Sequence, residues 1–127
     1  MNLLVDTHVL LWWLADDPRL PEPARAAIAA PEHRVSVSAA SAWEIAIKRA
    51  LGKLEAPDDL RTTIIASGFA EVPVTIDHAS IAGALPRHHD DPFDRMLVAQ
   101  AQVEELTIIT LDVRFASYDV GRLPLVS

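Results

Sequence analysis

"NLLVDTHVLLWWLAD", residues 2–16, changes character at its fifth position. "NLLV" is a short, mostly apolar run with the length of a buried strand. Asp6 ends it, and "THVLLWWLAD" then reads as a helix until Pro18 and Pro21 break it. A strand handed to a helix across one aspartate sets the pattern for the rest of the chain. "EPARAAIAA" (22–30) is a second, alanine-rich helix stopped by Pro31, and "RVSVS" (34–38) is a β-branched strand. "AASAWEIAIKRALGKL" (39–54) is the clearest helix. Ala39, Trp43, Ala46, Ile47, Ala50 and Leu51 recur there at helical spacing and predict its core face, with Gly52 just past the end.

Further along, "PDDLRTTIIASG" (57–68) predicts a helix and "FAEVPVT" (69–75) a strand, placed at a sheet edge by Pro73. "DHASIAGAL" (77–85) is a short helix, and a longer one runs from about Pro92 to Glu105. "LTIITLD" (106–112) is a strand that again ends in aspartate, "VRFASY" (113–118) one helical turn, and "LPLVS" (123–127) a last strand. Strands alternating with helices predict an α/β fold with a parallel or mostly parallel sheet covered on both faces. Ligands in such sheets sit beyond the carboxyl ends of the strands, where Asp6 and Asp112 both fall.

Composition sets the outer limits. The 127 residues suit a single domain, and with half of them hydrophobic the chain is not a disordered one. No cysteine is present, which excludes disulfides and thiolate metal sites and fits a reducing cytoplasm. "VLLWWLA" is too short and too closely bracketed by Asp6, His8 and Asp16 for a signal peptide, and no run nears the ~20 apolar residues that span a membrane. The net charge of −7 excludes nucleic-acid binding by bulk attraction and suits a basic partner.

Each acid has a structural explanation. Asp6 can cap the helix at Thr7, Asp112 can cap "VRFASY", and Glu44 can pair with Lys48 four residues on. Asp91, Pro92 and Asp94 match N-cap, N1 and N3 of one helix, with Asp90 a bystander. Together they suggest more. Asp6, Glu44, Asp94 and Asp112 can meet at one sheet edge, and four carboxylates in one cleft repel strongly without a cation. Hard oxygen donors favour Mg²⁺ or Mn²⁺ over Zn²⁺. Such a site suits phosphoryl chemistry. Asp91 is then the cap, and Asp94 is free to face the cleft.

"LLVDTHVLLWWL", "SAWEIAIKRALGKL", "HHDDPFDRMLVAQA" and "TIITLD" followed by "RF" resemble, in this order, the PIN domain, and more closely its VapC-type toxins. The resemblance implies a three-layer α/β/α domain over residues 1–127 with a central, mostly parallel sheet. It implies a metal-dependent endoribonuclease, the toxin of a toxin–antitoxin pair, cutting RNA with a metal-activated water to leave 5′-phosphate and 3′-hydroxyl ends. The acids carried over are Asp6, Glu44, Asp94 and Asp112, with Asp112 at the family's variable fourth position and Thr110 as the small hydroxyl residue before it. One tight ion, or two, both fit four acids. An antitoxin whose tail enters the acidic site and a homodimer are implied as partners.

Other polar residues read as minor. Lys48 pairs with or orients Glu44; Arg95 faces substrate phosphate or water; His8 starts a helix; His88 and His89 read as loop histidines, without zinc-site spacing. Trp12 and Trp13 point ~100° apart, so one lines a groove or both pack in different parts of the core. Two rivals remain: a catalytically silent PIN-like module docking a basic tail, and a phosphoacceptor domain forming an aspartyl phosphate on Asp6.

Overall fold

The computed structural model describes residues 1–125. The strands β1 (Asn2–Val5), β2 (Arg34–Ser38), β3 (Ala70–Val72) and β4 (Thr107–Ile109) form one sheet in the order β3-β2-β1-β4. Every pairing is parallel: Leu4 lies opposite Ser36 and Ile108, and Val37 opposite Glu71. β3 is an edge strand, as Pro73 requires, because proline cannot donate to a ladder. The helices are α1 (Thr7–Leu14), α2 (Glu22–Ala29), α3 (Ala39–Ala50), α4 (Leu60–Ala66), α5 (Ile76–Ala84) and α6 (Pro92–Glu104). A 3₁₀ turn spans Val113–Ser117.

Alternate residues of β1 enter two cores. Leu3 and Val5 pack with Val9 and Leu10 of α1, Ala24 and Ile28 of α2, and Ile64 of α4. Leu4 packs on the other face with Leu97, Val98 and Ala101 of α6 and with Phe115 and Tyr118. A parallel sheet is thus buried between two helical layers, the α/β/α sandwich that the alternation predicts. No described helix is long and apolar enough to cross a membrane.

Local chemistry sets the boundaries. α3 ends in a Schellman turn: Gly52, at φ +71°, donates to Arg49 O at 3.0 Å and Lys53 N–H to Lys48 O at 2.9 Å. At the N-terminus of α6, Pro92 occupies N1, where its missing N–H costs nothing.

Two expectations need correction. The apolar stripe of α3 faces outward: Trp43 is 65 % exposed and Leu51 63 %, while Ala40, Ser41, Glu44 and Ile45 are buried. The inner face, with Ala40, Ser41, Glu44 and Ile45, lies against α1 and α6, the main helical neighbours of α3. The last strand is also absent from the described part of "LPLVS". Pairing there amounts to one parallel bridge, Ile108 to Arg122, and residues 123–125 are irregular. Residues 126–127 of that stretch lie outside the described residues.

Candidate functional site

Asp6 follows the last residue of β1 and caps α1. Its Oδ1 accepts from Val9 N–H at 2.9 Å, and its Oδ2 accepts from the Thr110 hydroxyl. The Thr110 hydroxyl accepts in turn from the Asp112 N–H at 3.0 Å, so one side chain ties the end of β1 to the loop after β4. Burial pushes the Asp6 carboxyl up, against these hydrogen bonds.

Glu44 is only 3 % exposed, although it lies mid-helix on α3. Thr7 donates to its Oε1 at 2.6 Å and Lys48 Nζ to its Oε2 at 2.6 Å. The expected Glu44–Lys48 pair therefore forms, but its carboxylate is inside the protein rather than at the surface. A buried carboxylate demands such partners, and Thr7 and Lys48 provide them.

Asp91 caps α6 through its Oδ1, accepting from Phe93 N–H at 2.8 Å and Asp94 N–H at 3.3 Å. Asp90 is exposed, with Arg87 4.0 Å away. Asp94 stands differently. Burial pushes its carboxyl up to about 7, and the charges of Asp91, Asp6, Glu44 and Asp112 add to that. Asp94 is therefore close enough to feel each of the other three candidate acids. Asp112 is the opposite case: the Arg114 guanidinium beside it holds its carboxyl down at about 2. Arg114 Nε and Nη2 grip both its oxygens, and its Oδ1 caps the 3₁₀ turn through Arg114 N–H.

Five carboxylates thus face two cations, Lys48 and Arg114, both of which feel the charges of Asp91 and Asp94. The surplus is negative, and the candidate ligands are hard oxygens; one imidazole, His89, stands among them. Its Nε2 and the carboxylate oxygens of Asp94 and Asp112 lie within 4.8 Å of one another. A divalent cation of the Mg²⁺ or Mn²⁺ type fits these carboxylates and would relieve the repulsion that adds to burial in keeping Asp94 weakly acidic. A concavity of about 290 Å³ opens beside it, lined by Asp6, His8, Trp12, Leu111 and Asp112.

Of the polar residues judged minor, two are placed otherwise. Arg95 is half-buried and turned to the backbone: its guanidinium donates to the carbonyls of Ala82 and Leu85 at 2.9 Å and of Pro86 at 3.1 Å, pinning the loop after α5. His89 is buried and not a solvated loop residue, whereas His88 is exposed and lies edge-on to Tyr118. Trp12 lines the concavity under Arg19, and Trp13 packs on Phe69. Thr7 and Arg114 were not singled out from the sequence. Their partners lie across the fold or on a turn whose geometry spacing does not fix.

Asp91 gives a prediction separable from metal chemistry. Asp91→Ala removes two cap hydrogen bonds and costs about 1 kcal/mol, a few degrees of melting temperature. It removes no candidate ligand, so Mn²⁺ binding by calorimetry stays close to wild type. Loss of binding would make Asp91 a ligand.

A parallel sheet with carboxylates gathered beyond its strand ends defines an α/β domain with an acidic cleft. The PIN domain model matches residues 3–121, and the chain belongs to the PIN-domain family. Ribonuclease VapC22 of Mycobacterium tuberculosis is 30 % identical over 122 residues, covering 92 % of each chain. Among solved structures, VapBC2 from Rickettsia felis, bound to a DNA fragment from its promoter, shares the fold at a TM-score of 0.70 with 13 % identity over 98 % of each chain. A toxin–antitoxin complex from Klebsiella pneumoniae does so at 0.66 with 23 % identity over 92 % of each.

Proposed function

We propose that this protein is a VapC-type endoribonuclease, the toxin of a toxin–antitoxin pair, dependent on Mg²⁺ or Mn²⁺. The observation that carries the metal site is Asp94, raised to about 7 among the other acids. The ribonuclease relative and the family membership support the activity. Residues 1–127 act as one PIN-like unit, in the cytoplasm, a compartment that a cysteine-free chain suits.

Asp6, Glu44 and Asp94 would hold the cation, with Asp112 at the margin because Arg114 already grips both its oxygens. When bound, the cation would activate water and neutralise charge on the phosphoryl oxygens. The chain's own residues preorganise this. Thr110 and Val9 N–H fix the two oxygens of Asp6, and Thr7 and Lys48 fix those of Glu44. Carboxylates already held in place need no reorganisation when substrate arrives.

The exposed stripe of Trp43, Ile47 and Leu51 supports an antitoxin partner. It borders an apolar groove of about 570 Å³ between α3 and α4, lined by Ala42, Ala46, Ile64, Ile65 and Phe69. Trp43 meets Phe93 edge-on at 5.5 Å, one residue from Glu44 and from Asp94. A partner segment following the stripe from Leu51 to Trp43 arrives at the acids, where a basic side chain would meet the negative surplus. A homodimer is part of the same proposal, with exposed Ile76 and Val113 as apolar surface for it.

Incubation with single-stranded RNA, with and without Mn²⁺, tests the reading. Cation-dependent cuts leaving 5′-phosphate ends are expected. Tight Mn²⁺ binding with no cleavage of any RNA would leave the silent docking module as the better account.

A further inference from the structure

His89 sits among the acids, and hydrogen-bond direction decides what it does there. Its side chain is 3 % exposed. Nδ1 accepts from the Asp91 N–H at 3.1 Å. A backbone N–H can only donate, so Nδ1 offers its lone pair and the neutral ring carries its proton on Nε2. Nε2 hydrogen-bonds Asp112 Oδ2 at 3.2 Å and lies 2.8 Å from Asp94 Oδ2. The nitrogen nearest the acids is therefore a donor, with no lone pair left for a cation.

The fold fixes the backbone that carries the ring and packs one aromatic against it. The His89 N–H donates to Tyr118 Oη at 3.0 Å, and Tyr118 Oη donates to Pro86 O at 2.8 Å. Arg95 Nη1 donates to His89 O at 3.3 Å. Buried Phe115 meets the ring face at 79° with centroids 6.2 Å apart. Three side chains, Tyr118, Arg95 and Phe115, thus hold His89 by its backbone and its ring. A solvated loop histidine needs none of this.

We infer that His89 is a positioning residue for the acidic site: as the Nε2–H tautomer it hydrogen-bonds Asp112 and packs 2.8 Å from Asp94, converging their carboxylates without itself ligating the cation. Asp94 has no other side-chain partner among the described residues, so this close contact is what its carboxylate rests against. The same N–H screens the repulsion between the two acids. Asp112 then serves Asp94 through His89 as well as standing beside it. The inference rests on the metal-site reading above.

Histidine-¹⁵N spectra of the full-length protein, with Mg²⁺ and without, and Mn²⁺ calorimetry of His89→Gln and His89→Phe test it. The Gln amide nitrogen reaches the place of Nε2 and can donate; Phe keeps the ring and its contact with Phe115 but cannot. His89 should show the Nε2–H tautomer and keep that proton when Mg²⁺ binds. His89→Gln should bind Mn²⁺ within about threefold of wild type, and His89→Phe about 10–100-fold more weakly with an unchanged circular dichroism spectrum. An Nδ1–H tautomer, loss of the Nε2 proton on Mg²⁺ addition, or equal binding by His89→Phe would each overturn the role. If His89→Phe does not fold, the tautomer and the Gln variant decide. Failure of wild type itself to bind Mn²⁺ overturns the metal-site reading and this role with it.

Discussion

Asp94→Asn should lose cleavage and gain stability at once. The substitution keeps the size of the side chain and an oxygen that can accept from His89, but removes the charge. In the metal-free protein that charge is unfavourable: burial and four other carboxylates act against it. Deleting it relieves repulsion, so the melting temperature in EDTA should rise by a few degrees. In Mn²⁺ the order should reverse, because wild type gains binding energy that the variant has lost. Several kcal/mol of transition-state stabilisation depend on the cation, so cleavage should fall by at least about 10³-fold. Stability bought at the expense of activity is the signature of a functional group held in an unfavourable place. An Asp94→Asn protein that melts lower than wild type in EDTA would make Asp94 a structural residue and remove the central support for the metal site.

Much of this was legible in the chain. "NLLVD" and "TIITLD" announce strand ends by an apolar run stopped by an acid, and "DPFD" announces a cap, since those signals act over a few neighbouring residues. The sandwich follows from alternation alone. What stayed hidden depends on contacts distant in sequence. The outer face of α3 carries the larger apolar side chains and its inner face carries Ser41 and Glu44, so periodicity pointed the helix the wrong way. Periodicity locates an apolar stripe but not what covers it. His89 looked solvated because its neighbours, Phe115 and Tyr118, lie far along the chain. Arg95 follows a candidate ligand directly, yet helix geometry swings it to the loop carbonyls behind α6. Asp6 shows why cap and ligand need not compete: one oxygen caps α1, and the other is held by Thr110 beside the remaining acids.

The metal-free protein should be more stable at pH 5 than at pH 8. Asp94 titrates near 7 when folded and near the ordinary aspartate value of 3.8 when unfolded. A group raised in the folded state contributes stability fully below its unfolded value and loses it as pH rises through the folded one. The loss therefore falls between about pH 4 and 7. Asp6, also raised, acts in the same direction. Asp112 acts oppositely, but its pKa is depressed to about 2, so its contribution is lost only as pH falls from about 4 through 2. At pH 5 its stabilisation is still essentially complete. The rise of the Asp94 carboxyl from 3.8 to about 7 corresponds to about 4 kcal/mol at most, and partial solvent access reduces it to the order of 2 kcal/mol. A cation must displace the Asp94 proton, so Mn²⁺ affinity should fall about tenfold per unit below pH 7, and saturating Mn²⁺ should invert the stability order. Melting curves at pH 5, 6 and 8, in EDTA and in Mn²⁺, read this directly. Asp94→Asn should flatten most of the EDTA profile. A wild-type profile already flat in EDTA would mean that the carboxylates do not act on one another as the geometry requires, and the case for a cation at their centre would fall with it.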